Sequence, residues 1–574
     1  MLNHFPERSQ KICQLCEQKF DSFSLYLSRL MAKAPGWGIM AAANIFLITG
    51  GVLLLVFASE ASALAGAKSW DAPIYYHDQL LFAGRLLLYL AGTADLCFYF
   101  FKKKVPLVKN LLYCGFFLGV ILQTDSYCRR GFWNDTIELA LHLKSFSWKE
   151  LLLPGHPNPY LQMAPPALIV FSKLSGSCFG FNKWVLTLPA LLFSIGALFA
   201  FKDLARKLLT PWGVTAAVWL FALNPAVWIY AGEFKQYCCD IFFTILILSA
   251  ITDHIQDEAA HWKKLCLWGV ISLLFSHAMF FVLPAAGLAL LLRYLKGARH
   301  YSFFVIAGVW FIAGLAAVCY TSLMMPKGMY THEHHLLGFA PMPDSLENLK
   351  WYWTSLTSLF FAPWGMAWKF SLLLLFPCIG MFFGIRKLAS KHGFFLLICS
   401  VILLLLYIAS ALHQYSLASG VPFAKGRLIL FTIPPAILIF CGSLTQKKAL
   451  IWVAPVILSL LLHCGTAMMP FGKSDQAVKE LLRRYTPGDQ LVVCSKISRR
   501  AMLLYAPENF IGKVRFIEIG QIEKLSPDSG YVHIFFDDFP AGKVVPPQGY
   551  VVKHADSFAF SSVITLQRKA DTPR

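Results

Sequence analysis

The chain of 574 residues carries a formal net charge of +20, although only 14% of its residues are charged and 57% are hydrophobic. A soluble globule has about a quarter of its residues charged, so the composition excludes an ordinary soluble protein. Apolar runs of roughly 18 or more residues recur, and each is long enough to cross a hydrocarbon core about 30 Å thick. Because the runs are continuous and not alternating, they predict transmembrane helices and not a membrane barrel.

The chain begins with a polar tail of about 36 residues, and the apolar run after it predicts a retained anchor instead of a cleaved signal peptide. Thirteen candidate spans then follow one another, at 37–58, 80–100, 106–123, 184–201, 213–230, 240–252, 264–276, 278–295, 302–323, 370–385, 393–411, 428–443 and 449–466. We therefore predict a mainly α fold, a polytopic transmembrane helical bundle of about 13 spans in a lipid bilayer.

Basic clusters lie between alternate spans, so all of them fall on one side of the membrane if the count of spans is right. The clusters are Lys102–Lys104 with Lys109, Lys202 with Arg206 and Lys207, Lys263 with Lys264, Arg293 with Lys296 and Arg299, Arg386 with Lys387 and Lys391, and Lys447 with Lys448. The positive-inside bias assigns that side to the cytoplasm. It also explains the net charge, so we expect no nucleic-acid partner. The segments between the other spans then face outward, on the periplasmic side of a bacterial inner membrane.

The first long outer loop, 125–183, contains a carboxylate beside the membrane. Asp135 precedes an amphipathic stretch, 137–143, and the apolar run 165–171 is too short to cross. Both stretches predict short helices that lie in the interface. Asp135 has two interpretations, which do not exclude each other. It is a rigidly held catalytic acid, or it is the N-cap of the helix, with Glu138 three residues later completing a capping box.

Further charged residues stand at the predicted outer ends of later spans. Glu233, Lys235 and Asp240 share one short segment, and Lys425 and Arg427 flank a glycine in another. Interfacial anchoring is the simpler interpretation of the first two. Asp240 lies where apolar sequence resumes, so its desolvation is costlier and a functional role is favoured. The guanidinium of Arg427 offers a planar donor pair that suits a phosphate.

Histidine and cysteine patterns give weaker indications. His332 and His335 could share a helix face and bind a metal, but Leu336 breaks the HExxH pattern of zinc proteases. Cys128 and Cys178 share the long outer loop and could pair in an oxidising compartment.

The sequence changes character from about 470. A helix-like stretch, 474–485, precedes runs at 491–494, 531–536 and 561–567 that resemble strands. We predict a small outer α/β domain over 470–574. No glycine-rich phosphate loop is present in it, so we expect no nucleotide site.

Four segments together resemble the GT-C membrane glycosyltransferases, the superfamily around the protein O-mannosyltransferases and the aminoarabinose transferase of lipid A, with a core similar to glycosyltransferase family 39. They are FWNDTIELALHL (132–143), QMAPPALIVFSKL (162–174), YAGEFKQYCCD (230–240) and PFAKGRLILFTIPP (422–435). The resemblance implies a catalytic core over 106–469, with the two spans of 1–105 as an addition.

The family transfers a sugar from a polyprenyl-phosphate donor on the outer face of the membrane. Asp135 matches the first-loop catalytic aspartate and Asp240 a second acid, but Thr136 stands where the family usually has glutamate. That departure puts metal binding there in doubt. The resemblance implies no required cofactor and leaves a divalent metal open.

These residues suit an inverting displacement in which Asp135 is the general base. Arg427 and Lys235 then stabilise the phosphate that leaves. The remaining candidates for substrate contact are Glu233, Tyr237, Lys425, Gln162 and Glu138. We expect the acceptor to be a glycolipid such as lipopolysaccharide, or a protein.

Three other functions stay open at this point. A lipid or solute transporter would have ionisable residues near the middle of the membrane and paired repeats, neither of which is evident here. A catalytically inactive scaffold is suggested by Thr136. An O-antigen ligase or polymerase would use larger glycan donors.

Overall fold

The computed structural model describes residues 35–58, 72–132, 134–153, 164–297, 301–324, 339, 341, 344–351, 375–415, 427–444, 453–457, 460, 474–487, 489–493, 496–511, 513–516, 531–537, 550–558 and 561–568. Over these ranges the chain forms a series of long apolar helices followed by a smaller region with a mixed sheet. The mainly α, multi-pass architecture expected from the composition is confirmed.

The first three helices are α1 (Pro35–Val56), α2 (Ala72–Lys102) and α3 (Leu107–Arg129). Helices α1 and α2 approach closely at two glycines, because a Cβ atom on either Gly51 or Gly84 would lie 2.8 Å from the carbonyl oxygen of the other. Small residues at a crossing point are typical of helix pairs packed inside a membrane.

The long outer loop contains the two interfacial helices expected, α4 (Asn134–Ser145) and α6 (Pro166–Phe179). A short helix, α5 (Trp148–Leu152), lies between them. Helix α6 extends well beyond the predicted run 165–171, because Lys173 does not end it. The nitrogen of Lys173 instead donates hydrogen bonds to the carbonyl oxygens of Leu143 and Phe146, at 2.6 and 2.8 Å, which ties α6 to the end of α4.

The central bundle follows. Its helices are α7 (Lys183–Leu208), α8 (Pro211–Leu223), α9 (Pro225–Trp228), α10 (Tyr237–Gln256), α11 (Glu258–Phe275), α12 (Met279–Leu295), α13 (Ser302–Met324), α14 (Leu375–Ala411) and α15 (Ile433–Cys441). Two short 3-10 turns, Ile229–Gly232 and Arg427–Thr432, precede α10 and α15.

The described residues contain six helices that are long and apolar enough to span a membrane, or seven if the bent pair of α8 with 225–232 counts as one. The pair bends by 57° at Asn224, whose side-chain oxygen accepts a hydrogen bond from the Ala226 amide at 2.9 Å and so starts the second half. The short predicted span 240–252 is confirmed as the 20-residue helix α10. The spans predicted at 370–385 and 393–411 correspond to the two halves of α14, which are separated by a kink with non-helical backbone at His392. Most of the predicted span 449–466 lies outside the described residues.

Ion pairs join several of the basic clusters at one end of the bundle. The Lys207 ammonium pairs with Asp253, and Lys264 lies 3.7 Å from the same carboxylate. Arg293 pairs with Glu258 at 2.9 Å. These contacts link the ends of α7, α10 and α12 with the start of α11. The prediction that these clusters share one side is therefore confirmed for them.

The C-terminal region combines helices with a five-stranded sheet. Its elements are α16 (Ser474–Arg484), β1 (Gln490–Val493), α17 (Lys496–Tyr505), α18 (Glu508–Ile511), β2 (Val514–Phe516), β3 (Tyr531–Asp537), β4 (Tyr550–Phe558) and β5 (Ser561–Arg568). The strand order is β2-β1-β3-β5-β4, parallel on one half and antiparallel on the other. The strands expected at 491–494, 531–536 and 561–567 are confirmed. The domain boundaries at 105 and 470 stay predictions.

Two buried apolar cores organise the molecule. One fills the transmembrane bundle, around side chains such as Trp228 and Phe431. The other joins the interfacial helices to the C-terminal region, with Ile137 and Leu141 of α4 in the same cluster as Leu481 and Met502. The C-terminal sheet therefore packs on the outer loop, opposite the basic end of the bundle.

Candidate functional site

Asp135 lies in the first turn of α4 and is half-buried. The interpretation of this residue as an N-cap is wrong, because the helix begins one residue earlier, at Asn134. A carboxylate in the first turn is stabilised by the positive end of the helix dipole. With Asp135 inside the helix, Asp135 and Glu138 do not occupy the N-cap and N3 positions of a capping box, and Glu138 forms an ion pair with Arg500 of α17. Its predicted contact with substrate stays a prediction.

The segment around Glu233 packs against the start of the loop that carries Asp135. Glu233 and Arg130 are both buried, and their side chains lie 3.8 Å apart. Burial lowers the pKa of Arg130, which the negative charge of Glu233 opposes. The rings of Phe132 and Phe234 lie 6.2 Å apart next to this pair. Asp135 follows Phe132 by three residues, so two of the four segments that resemble the GT-C family come together here.

A glycine makes this approach possible. A Cβ atom on Gly232 would lie 2.5 Å from the carbonyl oxygen of Ser126 in α3. The Ser126 hydroxyl donates a hydrogen bond of 3.0 Å to the carbonyl oxygen of Ile229. The 3-10 turn 229–232 is thus held flat on α3, which places Glu233 beside Arg130.

Two other candidates from the same segment are buried nearby. Lys235 is 5% exposed and Tyr237 is 4% exposed, and the Tyr237 ring lies 4.8 Å from that of Tyr230. The side-chain oxygen of Gln236 is buried without a hydrogen-bond partner among the residues that the structure describes. A buried polar atom of this kind is costly unless something else satisfies it.

Asp240 stands in the first turn of α10, and its carboxylate is tied to a different loop. One carboxylate oxygen accepts a hydrogen bond from the Ser276 hydroxyl at 2.6 Å and another from the Ala278 amide at 3.4 Å. Asp240 therefore fixes the turn that joins α11 to α12. His277, between those two partners, is presented to a cavity beneath α4.

That cavity has a volume of about 30 Å³. Its lining includes Leu139 and His142 of α4, His277, and Tyr320 of α13. Leu139 and His142 are four and seven residues after Asp135, so they share its face of the helix. The cavity is thus bordered on one side by the face that carries Asp135 and on another by the loop that Asp240 holds. Its size suits a water molecule and not a sugar.

Two polar groups of the cavity are His277 and the hydroxyl of Tyr320. Burial lowers the pKa of His277 to about 4, so its imidazole is uncharged at neutral pH. The hydroxyl of Tyr320 is buried without a hydrogen-bond partner. A hydroxylic molecule in this space would find donors and acceptors that the described chain leaves open.

The sequence analysis missed the cations next to this site. Arg130 pairs with Glu233, and Asp125 accepts a 2.7 Å hydrogen bond from Arg129 and lies 3.3 Å from Arg85. The signal was visible, because Arg129 and Arg130 stand together on the predicted outer side, against the positive-inside bias.

Several predicted site residues cannot be placed. Gln162, Lys425, His332 and His335 lie outside the described residues. Arg427 opens the 3-10 turn Arg427–Thr432, but only its backbone is described. Within the described ranges, no group of three or more histidine, cysteine or acidic side chains could hold a metal ion. Cys128 and Cys178 are both exposed free thiols, so the pairing left open for them is absent between these two described residues.

No protein-family model matches the sequence. No curated protein matches it either. Among solved structures, the chain is similar to ArnT from Cupriavidus metallidurans bound to undecaprenyl phosphate, with 12% identity over 78% of this chain and 96% of ArnT and a TM-score of 0.47. It is also similar to the oligosaccharyltransferase of Archaeoglobus fulgidus, with 12% identity over 74% of this chain and 69% of that one and a TM-score of 0.41. At this identity the likeness concerns the fold alone.

Proposed function

We propose that the chain is a membrane glycosyltransferase that moves a sugar from a polyprenyl-phosphate donor to an acceptor at the outer face of a bacterial inner membrane. The observation that carries the proposal is the meeting of two segments, 130–135 and 233–240, through the Arg130–Glu233 pair and the packing of Phe132 on Phe234. These segments supply an acid, Asp135, and two buried cations, Arg130 and Lys235. The resemblance of both segments to the GT-C family supports the same chemistry.

In the proposed reaction, an acceptor hydroxyl or amine attacks the anomeric carbon of the sugar while Asp135 takes the acceptor proton. The bond from that carbon to the phosphate oxygen breaks, and the polyprenyl phosphate leaves as an anion. The anomeric centre inverts. Positioned general-base catalysis of this kind contributes about 10²- to 10⁴-fold to the rate.

The departing phosphate is stabilised best by positively charged side chains that are already held in place before the reaction. Lys235 is buried beside Glu233, and Arg130 adds a second buried cation that the sequence analysis did not include. Arg427 retains the phosphate role expected for it. Fixed charges in a site that excludes water stabilise a developing anion more than they would in bulk solvent.

Asp240, expected to be a catalytic acid, has a second role that its hydrogen bonds support. Its carboxylate holds the Ser276–Ala278 turn, which places His277 at the cavity beneath α4. In the proposal Asp240 acts on the reaction through this turn.

Mass spectrometry of envelope lipids and glycans tests the proposal. Cells are compared with the chain, without it, with Asp135→Asn, and with Asp203→Asn as a control. Asp203 is an exposed carboxylate in the basic cluster at the other end of α7. We expect a hexose- or pentose-sized increment with the unmodified chain and with Asp203→Asn, and its loss in the other two cases.

An increment that persists in Asp135→Asn would contradict the proposal and favour transport or a scaffold. The mass of the increment and of the molecule that carries it would identify the sugar and tell a glycolipid acceptor from a protein. Repeating the comparison with and without a divalent-metal chelator tests whether a metal takes part.

A further inference from the structure

The C-terminal region packs against α4, the helix that carries Asp135. The guanidinium of Arg500, on α17, forms an ion pair with Glu138, on α4. Six residues further along α4 and three residues further along α17, the Lys144 ammonium donates a hydrogen bond of 3.5 Å to the carbonyl oxygen of Leu503. The two helices are therefore in polar contact at both ends of their shared length.

An apolar interface lies beside these two polar contacts. Ile137 and Leu141 of α4 are at most 2% exposed, as are Ala501 and Met502 of α17. All four belong to one buried cluster. Burial of this completeness indicates a packed interface and not a passing contact between two domains.

Helix α4 depends on such packing for its position. It has only 12 residues, and isolated helices shorter than about 12 to 15 residues are marginal in water. Asp135 lies three residues, less than one turn, from Glu138. Any rotation or shift of α4 about its axis therefore moves Asp135 with it.

We propose that the C-terminal α/β region is a clamp on α4, and that Arg500 is a positioning residue which, through Glu138, sets the location of Asp135. This inference rests on the proposed function and assigns to the C-terminal region a role in the same site. The pair is partly shielded, with side chains 28% and 12% exposed for Arg500 and Glu138. Its loss would leave a charge against the packed interface on either side.

Charge reversal tests the clamp. The full chain is reconstituted in lipid nanodiscs with a radiolabelled undecaprenyl-phosphate sugar as donor and envelope glycolipid as acceptor. We expect Arg500→Glu and Glu138→Arg each to lower kcat by about 10- to 100-fold, because a displacement of about 1 Å costs that much, while KM for the donor stays within about twofold. The double variant, with the charges exchanged, should recover to within about threefold.

Two variants complete the series. Arg499→Glu reverses an exposed neighbouring charge on the same helix and should stay within about twofold of the unmodified chain. Arg500→Lys retains the charge and should recover most of kcat. The clamp is overturned if Arg500→Glu is fully active, or if the exchanged pair is no better than the single variants.

Hydrogen exchange supplies a measurement that does not depend on activity. Amides of 136–144 should exchange at least about 10-fold faster in Arg500→Glu than in the unmodified chain, and at the unmodified rate in Arg499→Glu and in the exchanged pair. Unchanged exchange in Arg500→Glu overturns the clamp. If the unmodified chain transfers no sugar, the proposed function fails, and the exchange rates still decide whether the clamp exists.

Discussion

Asp240→Ala is the substitution for which the structure predicts the clearest effect on stability. It removes the acceptor of two buried hydrogen bonds, one from the Ser276 hydroxyl at 2.6 Å and one from the Ala278 amide at 3.4 Å. Ser276 and Ala278 are fully buried, so water does not replace the lost partner. A buried donor left without an acceptor costs about 1–3 kcal/mol, and the longer bond contributes less. We expect the free energy of unfolding to fall by about 2–4 kcal/mol.

Two related variants should lower the free energy of unfolding by smaller amounts. Ser276→Ala removes only one donor and should cost about 1 kcal/mol. Asp240→Asn keeps a carbonyl oxygen of the same shape, and we expect it to cost less than Asp240→Ala. Asp203→Ala is the control, because its side chain is 58% exposed and its loss should change stability by less than about 0.5 kcal/mol.

The assay is denaturation of the full chain in mixed micelles, followed by tryptophan fluorescence. The reasoning is refuted if Asp240→Ala unfolds at the same denaturant concentration as the unmodified chain, or if Asp203→Ala is equally destabilised. Sugar transfer by the same variants separates the two roles of Asp240. A holding role predicts that Asp240→Asn keeps most of the activity that Asp240→Ala loses.

Three further predictions concern other parts of the molecule. Burial lowers the pKa of His533, so the stability that its neutral form contributes is present above about pH 6.5 and is lost as the pH falls. Hydrogen exchange of the amides of 531–535 in the full chain should therefore accelerate toward pH 5, and exchange that is independent of pH would contradict this prediction. Gly232→Ala should lower the free energy of unfolding in micelles by about 2–4 kcal/mol, because its Cβ would lie 2.5 Å from a backbone carbonyl oxygen. Gly308→Ala is the control, since a Cβ there has nothing within 4 Å, and it should be neutral or stabilising. Equal effects of the two substitutions would refute the close approach at Gly232. Arg130→Ala should destabilise by about 3–5 kcal/mol, because it removes the cation that faces the buried carboxylate of Glu233. The paired apolar variant, Arg130→Met with Glu233→Leu, should recover most of the loss. A double variant as unstable as the single one would count against the pair.

The helical part of the fold could be predicted because lipid restricts the possibilities. A continuous apolar run in a bilayer has to satisfy its own backbone, so run length alone predicted most helices, including α10. The break in α14 at His392 lies between two predicted spans, because the basic residues from Arg386 to Lys391 interrupt the apolar sequence there. Strands β2 and β4 were missed. Strand β2 has only three residues, and β4 (YVVKHADSF) lacks a regular alternation of apolar and polar residues.

The sequence predicted which residues belong to the candidate site, but not which residues they contact. Asp135, Glu233 and Asp240 stood out as charges at the ends of apolar runs. The partners of Glu138 and Asp240 did not, because Arg500 lies more than 350 positions from Glu138 in the chain and Ser276 belongs to another hairpin of helices. The helix start at Asn134 also escaped prediction, since a cap is defined by backbone geometry to within a residue or two.

Cysteine accessibility labelling tests the proposed topology most directly. In that topology the acidic residues of the site and the C-terminal region lie on the outer side of the membrane, and the basic clusters lie on the inner side. Single cysteines replace Asp135, Lys513, Lys103 or Lys391 in a background without the 15 native cysteines. A maleimide that cannot cross the membrane is added to intact spheroplasts. The account predicts labelling at 135 and 513 in intact spheroplasts, and at 103 and 391 only after permeabilisation. Labelling of 135 only after permeabilisation, or together with 103 before it, would contradict the account.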